Sequence, residues 1–165
     1  MGLTLPGELV SLLSMIGYDW PESDETALFQ LAGEWTGMAD RINGSVAQLE
    51  SAARTVLDTN RGESFTAFAE EWNDGESAPR NIADATDPTN IIAIGLMAGA
   101  GIVLALKIQV IVQLILLAIQ IAQAIATAVV TFGASLLEIP IFKMITGMIV
   151  DQLIGMAVDA VLNGG

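Results

Sequence analysis

The fold of this chain is decided by residues 24–58, which read DETALFQLAGEWTGMADRINGSVAQLESAARTVLD. Apolar residues recur in this stretch at every seventh position, and a second apolar position follows each of them except the last after three or four residues. The first seam consists of Leu28, Trp35, Ile42, Leu49 and Val56, and the second of Leu31, Met38 or Ala39, Val46 and Ala53. A heptad repeat sustained over about 30 residues predicts one long helix packed along a partner helix.

The sequence after residue 58 predicts the return helix of a hairpin. An Asn-Arg-Gly triplet ending at Gly62 interrupts the repeat, and glycine suits a tight turn between two helices. Aromatic residues then follow at helical spacing: Phe65, Phe68 and Trp72. Because short loops join antiparallel neighbours, residues 24–76 are predicted to form a helical hairpin. Residues 73–90, which are rich in Asn, Gly, Pro and Asp, are predicted to be a linker with a broken turn of helix.

A short apolar helix and a turn are predicted within residues 1–23. Gly17 is a natural helix end, and Trp20 must be extended because the next residue is a proline. Four acids cluster near the start of the hairpin: Asp19, Glu22, Asp24 and Glu25. They lack the alternate spacing of a calcium loop, so we interpret them as charges that favour a helix N-terminus.

Residues 91–137 are very apolar, and Lys107 is their only charged residue. A narrow polar stripe follows one helical face of this stretch: Gln109, Gln113, Gln120, Gln123 and Thr127. The uncharged run from Ile108 to Leu137 is long enough for a transmembrane helix, whereas the amides disfavour lipid on their face. Two interpretations stay open: a central helix buried on three sides by the hairpin, and a membrane span whose stripe lines a water-filled path or pairs between helices.

The composition excludes several classes of function. Hydrophobic residues make up 53% of the chain and charged residues 15%, against roughly 45–50% and 25% in soluble domains. The net charge of −13 repels phosphate backbones, so no nucleic-acid partner is predicted. The chain has no Cys and no His, which excludes disulfides, thiolate chemistry, ordinary zinc sites and histidine acid–base catalysis. We predict no catalytic, cofactor-binding or metal-binding residues, and therefore no enzyme.

Together these features predict an all-α fold, an elongated bundle in which the hairpin packs on a very hydrophobic C-terminal set of helices. Residues 1–90 form the acidic part, with the N-terminal helix and the hairpin. Residues 91–165 form the hydrophobic part, which ends in a helix at 139–162 after a turn near 131–135. The two parts are expected to make up one structural domain.

The order of these features resembles a known family, the WXG-like helical domain at the N-terminus of actinobacterial polymorphic toxins. That broad group includes the mycobacterial channel-and-necrosis toxin. The matching features are Leu5-Pro6, Gly17-Tyr18-Asp19-Trp20-Pro21, Trp35, Gly62 with Phe65, Phe68 and Trp72, and Gly133-Ala134-Ser135-Leu136. Asn60-Arg61-Gly62 stands where the family has Trp-x-Gly, and the usual export tag Tyr-xxx-Asp/Glu is missing after the hairpin.

This resemblance implies export by a type VII (ESX-type) secretion system, with a toxin domain following in a longer chain. Six residues are the predicted determinants of hairpin structure and recognition: Trp20, Trp35, Gly62, Phe65, Phe68 and Trp72. The implied partners are the secretion machinery or a small helical protein, with a membrane and a second copy as further candidates. The protein is expected to be secreted or on the bacterial surface without a cleaved signal peptide, since no basic residue precedes Arg41.

The alternative function is a membrane-inserting pore or translocation domain that uses residues 91–137. In that alternative, Lys107 and Lys143 mark the ends of the inserted segment.

Overall fold

The computed structural model describes residues 2–163, and every regular element in that range is a helix. The six α-helices are α1 (Gly7–Met15), α2 (Glu25–Thr59), α3 (Glu63–Asn73), α4 (Ala78–Asp84), α5 (Thr86–Thr127) and α6 (Ile139–Asn163). A 3₁₀ helix, Ala134–Glu138, directly precedes α6. The prediction of an all-α fold is confirmed, and the predicted last helix agrees closely with α6. Residues 1, 164 and 165, the outer ends of the predicted domains, lie outside the described range.

The prediction of a linker at residues 73–90 is wrong for most of its length. Residues 78–84 form α4, and α5 begins at Thr86. The prolines that suggested a break, Pro79 and Pro88, lie in the first turns of α4 and α5. A first-turn proline removes no helical hydrogen bond, because the N–H groups of that turn have no acceptor within the helix.

Contacts divide the chain into two compact units. Unit 1 contains the described parts of residues 1–27 and 98–165, and unit 2 contains residues 28–97. The unit boundaries fall inside α2 and α5, and residue 90 itself lies within α5. The compact units therefore do not follow the predicted division into 1–90 and 91–165, which stays a prediction.

Unit 1 is built around a small apolar core to which α1, α5 and α6 contribute. Its buried members are Leu13 of α1, Val110 and Leu114 of α5, and Val150 of α6, each at most 2% exposed. The residues that pack around them include Leu5, Leu9, Leu12, Ile16, Tyr18, Trp20, Leu106 and Ile154. Apolar side chains spaced along three helices thus hold unit 1 together.

Two glycine turns bound the helices of unit 1. Gly17, with φ of +90°, follows α1, and Gly133, with φ of +85°, precedes the 3₁₀ helix. A side chain at either position would be strained, which explains why glycine occupies both turns. Beyond Gly17, the Tyr18 hydroxyl donates to the Gly147 carbonyl of α6 at 3.2 Å. This hydrogen bond fixes the segment after α1 against α6.

Unit 2 contains most of α2, and the buried seam of α2 differs in detail from the prediction. The buried seam residues in unit 2 are small: Ala32, Ala39 and Ala53. Leu28, Trp35, Ile42 and Val46 are half-buried. Four residues assigned to the seams are 41–46% exposed: Leu31, Met38, Leu49 and Val56. Small seam residues let helix backbones approach closely, and the bulkier neighbours are left at the margins of the contact.

The turn between α2 and α3 depends on Gly62. Its φ of 128° and ψ of 170° lie in a region that only glycine adopts without strain. Before it, Asn60 Nδ2 donates to the Val56 carbonyl at 2.8 Å, and Arg61 donates to the Leu57 carbonyl at 2.7 Å. These bonds satisfy carbonyls at the end of α2 that have no helical partner. The predicted turn at Gly62 is confirmed.

Candidate functional site

The aromatic residues of α3 lie together in unit 2, as their spacing predicted. Phe65, Phe68 and Trp72 are half-buried, and the ring centroids of Phe68 and Trp72 are 5.4 Å apart at an angle of 42°. Tilted ring pairs at this distance are favourable. Trp35, on α2 in the same unit, is also half-buried. The Phe68–Trp72 pair therefore gives α3 one aromatic face.

Trp72 borders two shallow clefts in unit 2. One cleft is lined by Val46, Glu50, Trp72, Asn73, Asp74, Ser77, Pro79, Arg80 and Ala83. The other is lined by Glu50, Ala53, Arg54, Leu57, Trp72 and Asn73. The indole is therefore accessible from outside at a place where α2, α3 and α4 meet. Glu50 also pairs with Arg54 at 3.2 Å, an exposed contact of a kind that contributes little to stability.

Trp20 belongs to unit 1, whereas the other predicted recognition residues belong to unit 2. Its Nε1 donates to the Leu3 carbonyl at 3.3 Å. Its ring centroid lies 5.7 Å from Nζ of Lys107, which is within range of a cation–π interaction. The structure thus assigns Trp20 a place in a polar cluster rather than in the hairpin.

That cluster centres on a buried ion pair between Lys107 of α5 and Glu25 of α2. Lys107 Nζ lies 2.7 Å from Glu25 Oε2, and the two side chains are 2% and 4% exposed. Nζ also donates to the Ser23 carbonyl at 2.6 Å, and the Leu3 backbone N–H donates to Glu25 Oε1. The charges are therefore compensated by each other and by backbone groups, which a buried pair requires.

The environment of Glu25 fixes its ionisation. Hydrogen bonds from the Leu3 N–H and from Lys107 lower the pKa of Glu25 from 4.5 to about 2. A carboxyl whose pKa is lower in the folded than in the unfolded state stabilises the fold above its unfolded pKa. This contribution is fully present above about pH 4.5 and is lost as the pH falls toward 2. The Glu25 carboxyl therefore stays ionised across the mildly acidic range.

This pair is not among the predictions from the sequence, although the residue spacing contains a signal for it. Glu25 lies seven residues before Ala32, and Lys107 lies seven residues after Ala100, so each charge occupies a position of a buried heptad seam. A lone charge on an apolar seam indicates a buried partner of opposite sign. The interpretation of Glu25 as a helix N-terminal charge and of Lys107 as an end marker overlooked this spacing.

The polar stripe lies along α5 as its spacing predicted. Gln109, Gln123 and Thr127 are exposed, and Gln113 and Gln120 are half-buried. The Thr127 hydroxyl donates to the Gln123 carbonyl at 2.9 Å, within the helix itself. The stripe therefore reaches solvent in this structure, and its role in lining a path stays a prediction.

Much of the apolar surface of α5 and α6 is uncovered. The segment ending at Thr127 and the segment Ala134–Asn163 each contain a stretch long and apolar enough to cross a membrane, and these stretches are only 22% and 11% buried. Among the described residues, the three most exposed large apolar side chains lie in the connection between α5 and α6: Val129, Val130 and Phe132. The interpretation of this region as a helix buried on three sides by the hairpin is wrong, because the chain covers too little of its apolar surface.

The hairpin, its glycine turn and the apolar helices that follow can be compared with known proteins. The family model described as "WXG100 like domain" matches residues 5–148. The chain belongs to the WXG100-like domain family. Comparison with curated proteins found no match. Comparison with solved structures found no match either.

Membership makes this WXG100-like domain a helical protein associated with type VII secretion. The match extends from the segment before α1 into α6, so both compact units belong to the domain. In this member, Trp35 and Gly37 lie within α2, and the turn between the helices of the hairpin carries Gly62 without a tryptophan.

The buried ion pair predicts that a single and a double variant differ markedly in their free energy of unfolding. Lys107→Met leaves the Glu25 carboxylate buried without its counter-ion, so it should lower the free energy of unfolding by about 3–5 kcal/mol. The double variant Lys107→Met/Glu25→Gln removes both charges and should recover much of this loss. Urea unfolding, monitored by circular dichroism, measures the free energy of unfolding of both variants.

The matched control is Arg54→Met, which breaks the exposed pair with Glu50 and should cost at most about 1 kcal/mol. A Lys107→Met variant as stable as Arg54→Met would show that the buried pair does not have this role.

Proposed function

We propose that this WXG100-like domain is a non-enzymatic delivery module, exported by a type VII system, for a bacterial toxin domain in a longer chain. The observation that carries the proposal is the half-buried Phe68–Trp72 pair on α3, whose Trp72 borders two open clefts on the hairpin of a WXG100-like domain. Such a module acts through its folded surface. The secretion machinery or a small helical partner is the corresponding binding partner.

The chemistry of the Trp72 clefts supports a recognition role. An accessible indole offers a large apolar contact with little conformational freedom, a property of residues that dominate binding interfaces. Glu50 and Asp74 add carboxylates to the same cleft, and Arg80 adds one cation. We infer that a partner places an apolar side chain against Trp72 and polar or basic groups at the cleft margin.

The residue inventory supports a non-catalytic role. The chain has no His and no Cys, the residue types that most often serve as general base and strong nucleophile. The one strongly shifted carboxyl, Glu25, is held ionised by structural partners inside unit 1. No feature of the described residues therefore favours an enzymatic proposal over a binding one.

Replacing Trp72 tests the export proposal. Trp72→Asp should abolish secretion, because the substitution removes the ring pair with Phe68 and the indole that lines both clefts. Secretion is measured as the ratio of culture-filtrate to cell-associated protein in a strain with a type VII system.

The control is Ala67→Asp, which adds the same charge at an exposed position of α3 and should leave secretion unchanged. Circular dichroism of the purified variants separates unfolding from lost recognition. Normal secretion of a folded Trp72→Asp variant would refute the role of this face.

A second candidate function, membrane insertion by residues 91–137, is favoured by the uncovered apolar surface of α5. From Ile108 to the end of α5 there are 20 uncharged residues, about 30 Å of helix, which matches the hydrocarbon core of a bilayer. α6 suits a bilayer less well, because Lys143, Asp151 and Asp159 interrupt it. The polar stripe of α5 would then line a path for the cargo.

Vesicle leakage tests this second candidate. The wild-type protein should release dye from phosphatidylcholine vesicles, whose neutral headgroups do not repel the net charge of −13. Phe132→Asp should reduce release strongly, since Phe132 is 99% exposed between α5 and α6. Aspartate tolerates the positive φ of this position, so the fold should be retained.

The control for leakage is Ala52→Asp, which adds a carboxylate at an exposed position of α2. Absence of release by the wild type, or equal release by Phe132→Asp, would reject membrane insertion through this connection.

A further inference from the structure

The connection between α5 and α6 lies at one end of this helix pair in unit 1. The two helices run antiparallel, because Val110 meets Val150 in the core, whereas the earlier residue Ile102 and the later residue Leu162 line one apolar groove. The helical rise from Ile102 to the end of α5 is roughly 38 Å. The connection and this groove are therefore at opposite ends of the pair.

The middle of the connection projects large apolar side chains into solvent. We define the tip as Val129, Val130, Thr131 and Phe132. Its three apolar side chains are 86%, 80% and 99% exposed. No residue from Ile108 to Leu137 is charged, so the tip continues the uncharged surface of α5. A projecting apolar group of this kind marks a contact with a partner or with lipid.

Phe132 adopts a costly backbone conformation and gains little from its own chain. Its φ of 52° lies in the left-handed region, and it is the one non-glycine residue with a positive φ in the described part of the chain. That region disfavours bulky residues, whereas Asn, Asp and Gly adopt it more readily. Because the ring is 99% exposed, packing within the chain does not offset the strain. Strain of this kind clusters at functional sites.

The polar groups of the connection are paired with one another. Ser135 Oγ donates to the Ala124 carbonyl at 2.7 Å, and Thr131 Oγ1 donates to the Thr127 carbonyl at 3.0 Å. The Ser135 N–H in turn donates to Thr131 Oγ1 at 3.3 Å. Further backbone N–H groups donate to carbonyls of the connection or of the end of α5, at positions 128, 130, 131, 133, 134 and 136. These bonds satisfy carbonyls that a helix end leaves unpaired.

We propose that the tip docks on a neutral phospholipid bilayer, with Phe132 and the two valines at the boundary between the headgroups and the acyl chains. Hydrocarbon offers no hydrogen bonds, so a turn approaches it only when its own polar groups are paired. The tip meets this condition. Its one polar side chain, Thr131, bonds to the backbone, so the hydroxyl that would orient a protein partner is already used inside the connection.

The charge of the chain selects the kind of bilayer. The net charge of −13 repels anionic headgroups, and Glu138, the carboxylate nearest to the tip in sequence, is exposed. Zwitterionic headgroups, such as phosphatidylcholine, do not repel these charges. Because three side chains bury little area, docking should be weak and reversible.

Docking concerns the same region as the membrane-insertion candidate but does not depend on it. Insertion requires α5 to leave its contacts in unit 1, whereas docking uses the connection as it is folded. Binding to vesicles and release of their contents are therefore separate readouts. Docking without dye release would support this proposal while rejecting insertion.

A fluorescent label at the tip tests the proposal. The chain has no Cys, so Val130→Cys gives the full chain a single site for the environment-sensitive dye NBD. On phosphatidylcholine vesicles the emission of NBD should shift to the blue, and lipids brominated near the start of their acyl chains should quench it. Phosphatidylglycerol in the vesicles should reduce the shift. The same dye at Ala52→Cys, an exposed position of α2, should show neither change.

Phe132→Asn, made in the labelled Val130→Cys protein, separates docking from folding. Asn adopts the left-handed region more readily, so the free energy of unfolding in urea should rise or stay unchanged. Loss of the ring from the lipid should weaken docking, measured by lipid titration, by roughly 10-fold or more. The matched control is Leu162→Asn, which removes a 75% exposed apolar side chain at the opposite end of the helix pair and should leave docking unchanged.

A label at Val130→Cys that shows no blue shift and no quenching at any lipid concentration would overturn the proposal. Equal docking by Phe132→Asn and by the protein with Phe132 would overturn it as well. Dye release that occurs without a change at the tip label would favour insertion by another part of α5 and would also contradict docking through the tip.

Discussion

The ion pair between Lys107 and Glu25 is the constraint on which unit 1 depends. It lies where the start of α2 meets the middle of α5, and the backbone of Leu3 and Ser23 completes its hydrogen bonds. Trp20 covers the ammonium group and bonds to the same N-terminal segment. A buried pair is sensitive to the loss of either partner, so these groups require a specific arrangement of three separate segments. Apolar packing alone would not specify that arrangement as strictly.

Much of the fold was predictable from the sequence because periodic patterns have direct physical causes. The heptad of α2, the glycine turn at Gly62 and the aromatic spacing of α3 each depend on local geometry, and each is present in the structure. The sequence was a weaker guide to which residues of the α2 seam are buried. The seam was predicted to contain Leu31 and either Met38 or Ala39, whereas the structure buries Ala32 and Ala39, because close helix contacts select small residues. The prolines at the starts of α4 and α5 were misread, because a first-turn proline and a helix-breaking proline look alike in sequence.

The polar cluster shows where sequence reasoning ends. Its members come from the N-terminal segment, the start of α2 and the middle of α5, and local spacing does not bring them together. The aromatic residues predicted to act in recognition do not form one group, for the same reason. Phe65, Phe68 and Trp72 lie on α3, whereas Trp20 belongs to the polar cluster of unit 1. Whether the apolar surface of α5 is covered also depends on tertiary contacts. An apolar sequence does not reveal whether its own chain, another copy or a lipid covers it.

The central claim, that an ionised Glu25 anchors unit 1, is tested most directly by the pH dependence of stability. The free energy of unfolding is measured for the wild type and for Glu25→Gln between neutral pH and pH 2. The account predicts that the wild type is more stable at neutral pH and that this advantage shrinks as the pH falls below about 4.5 toward 2, as the lowered pKa of Glu25 requires. A difference between the two proteins that stays constant over this range would contradict it.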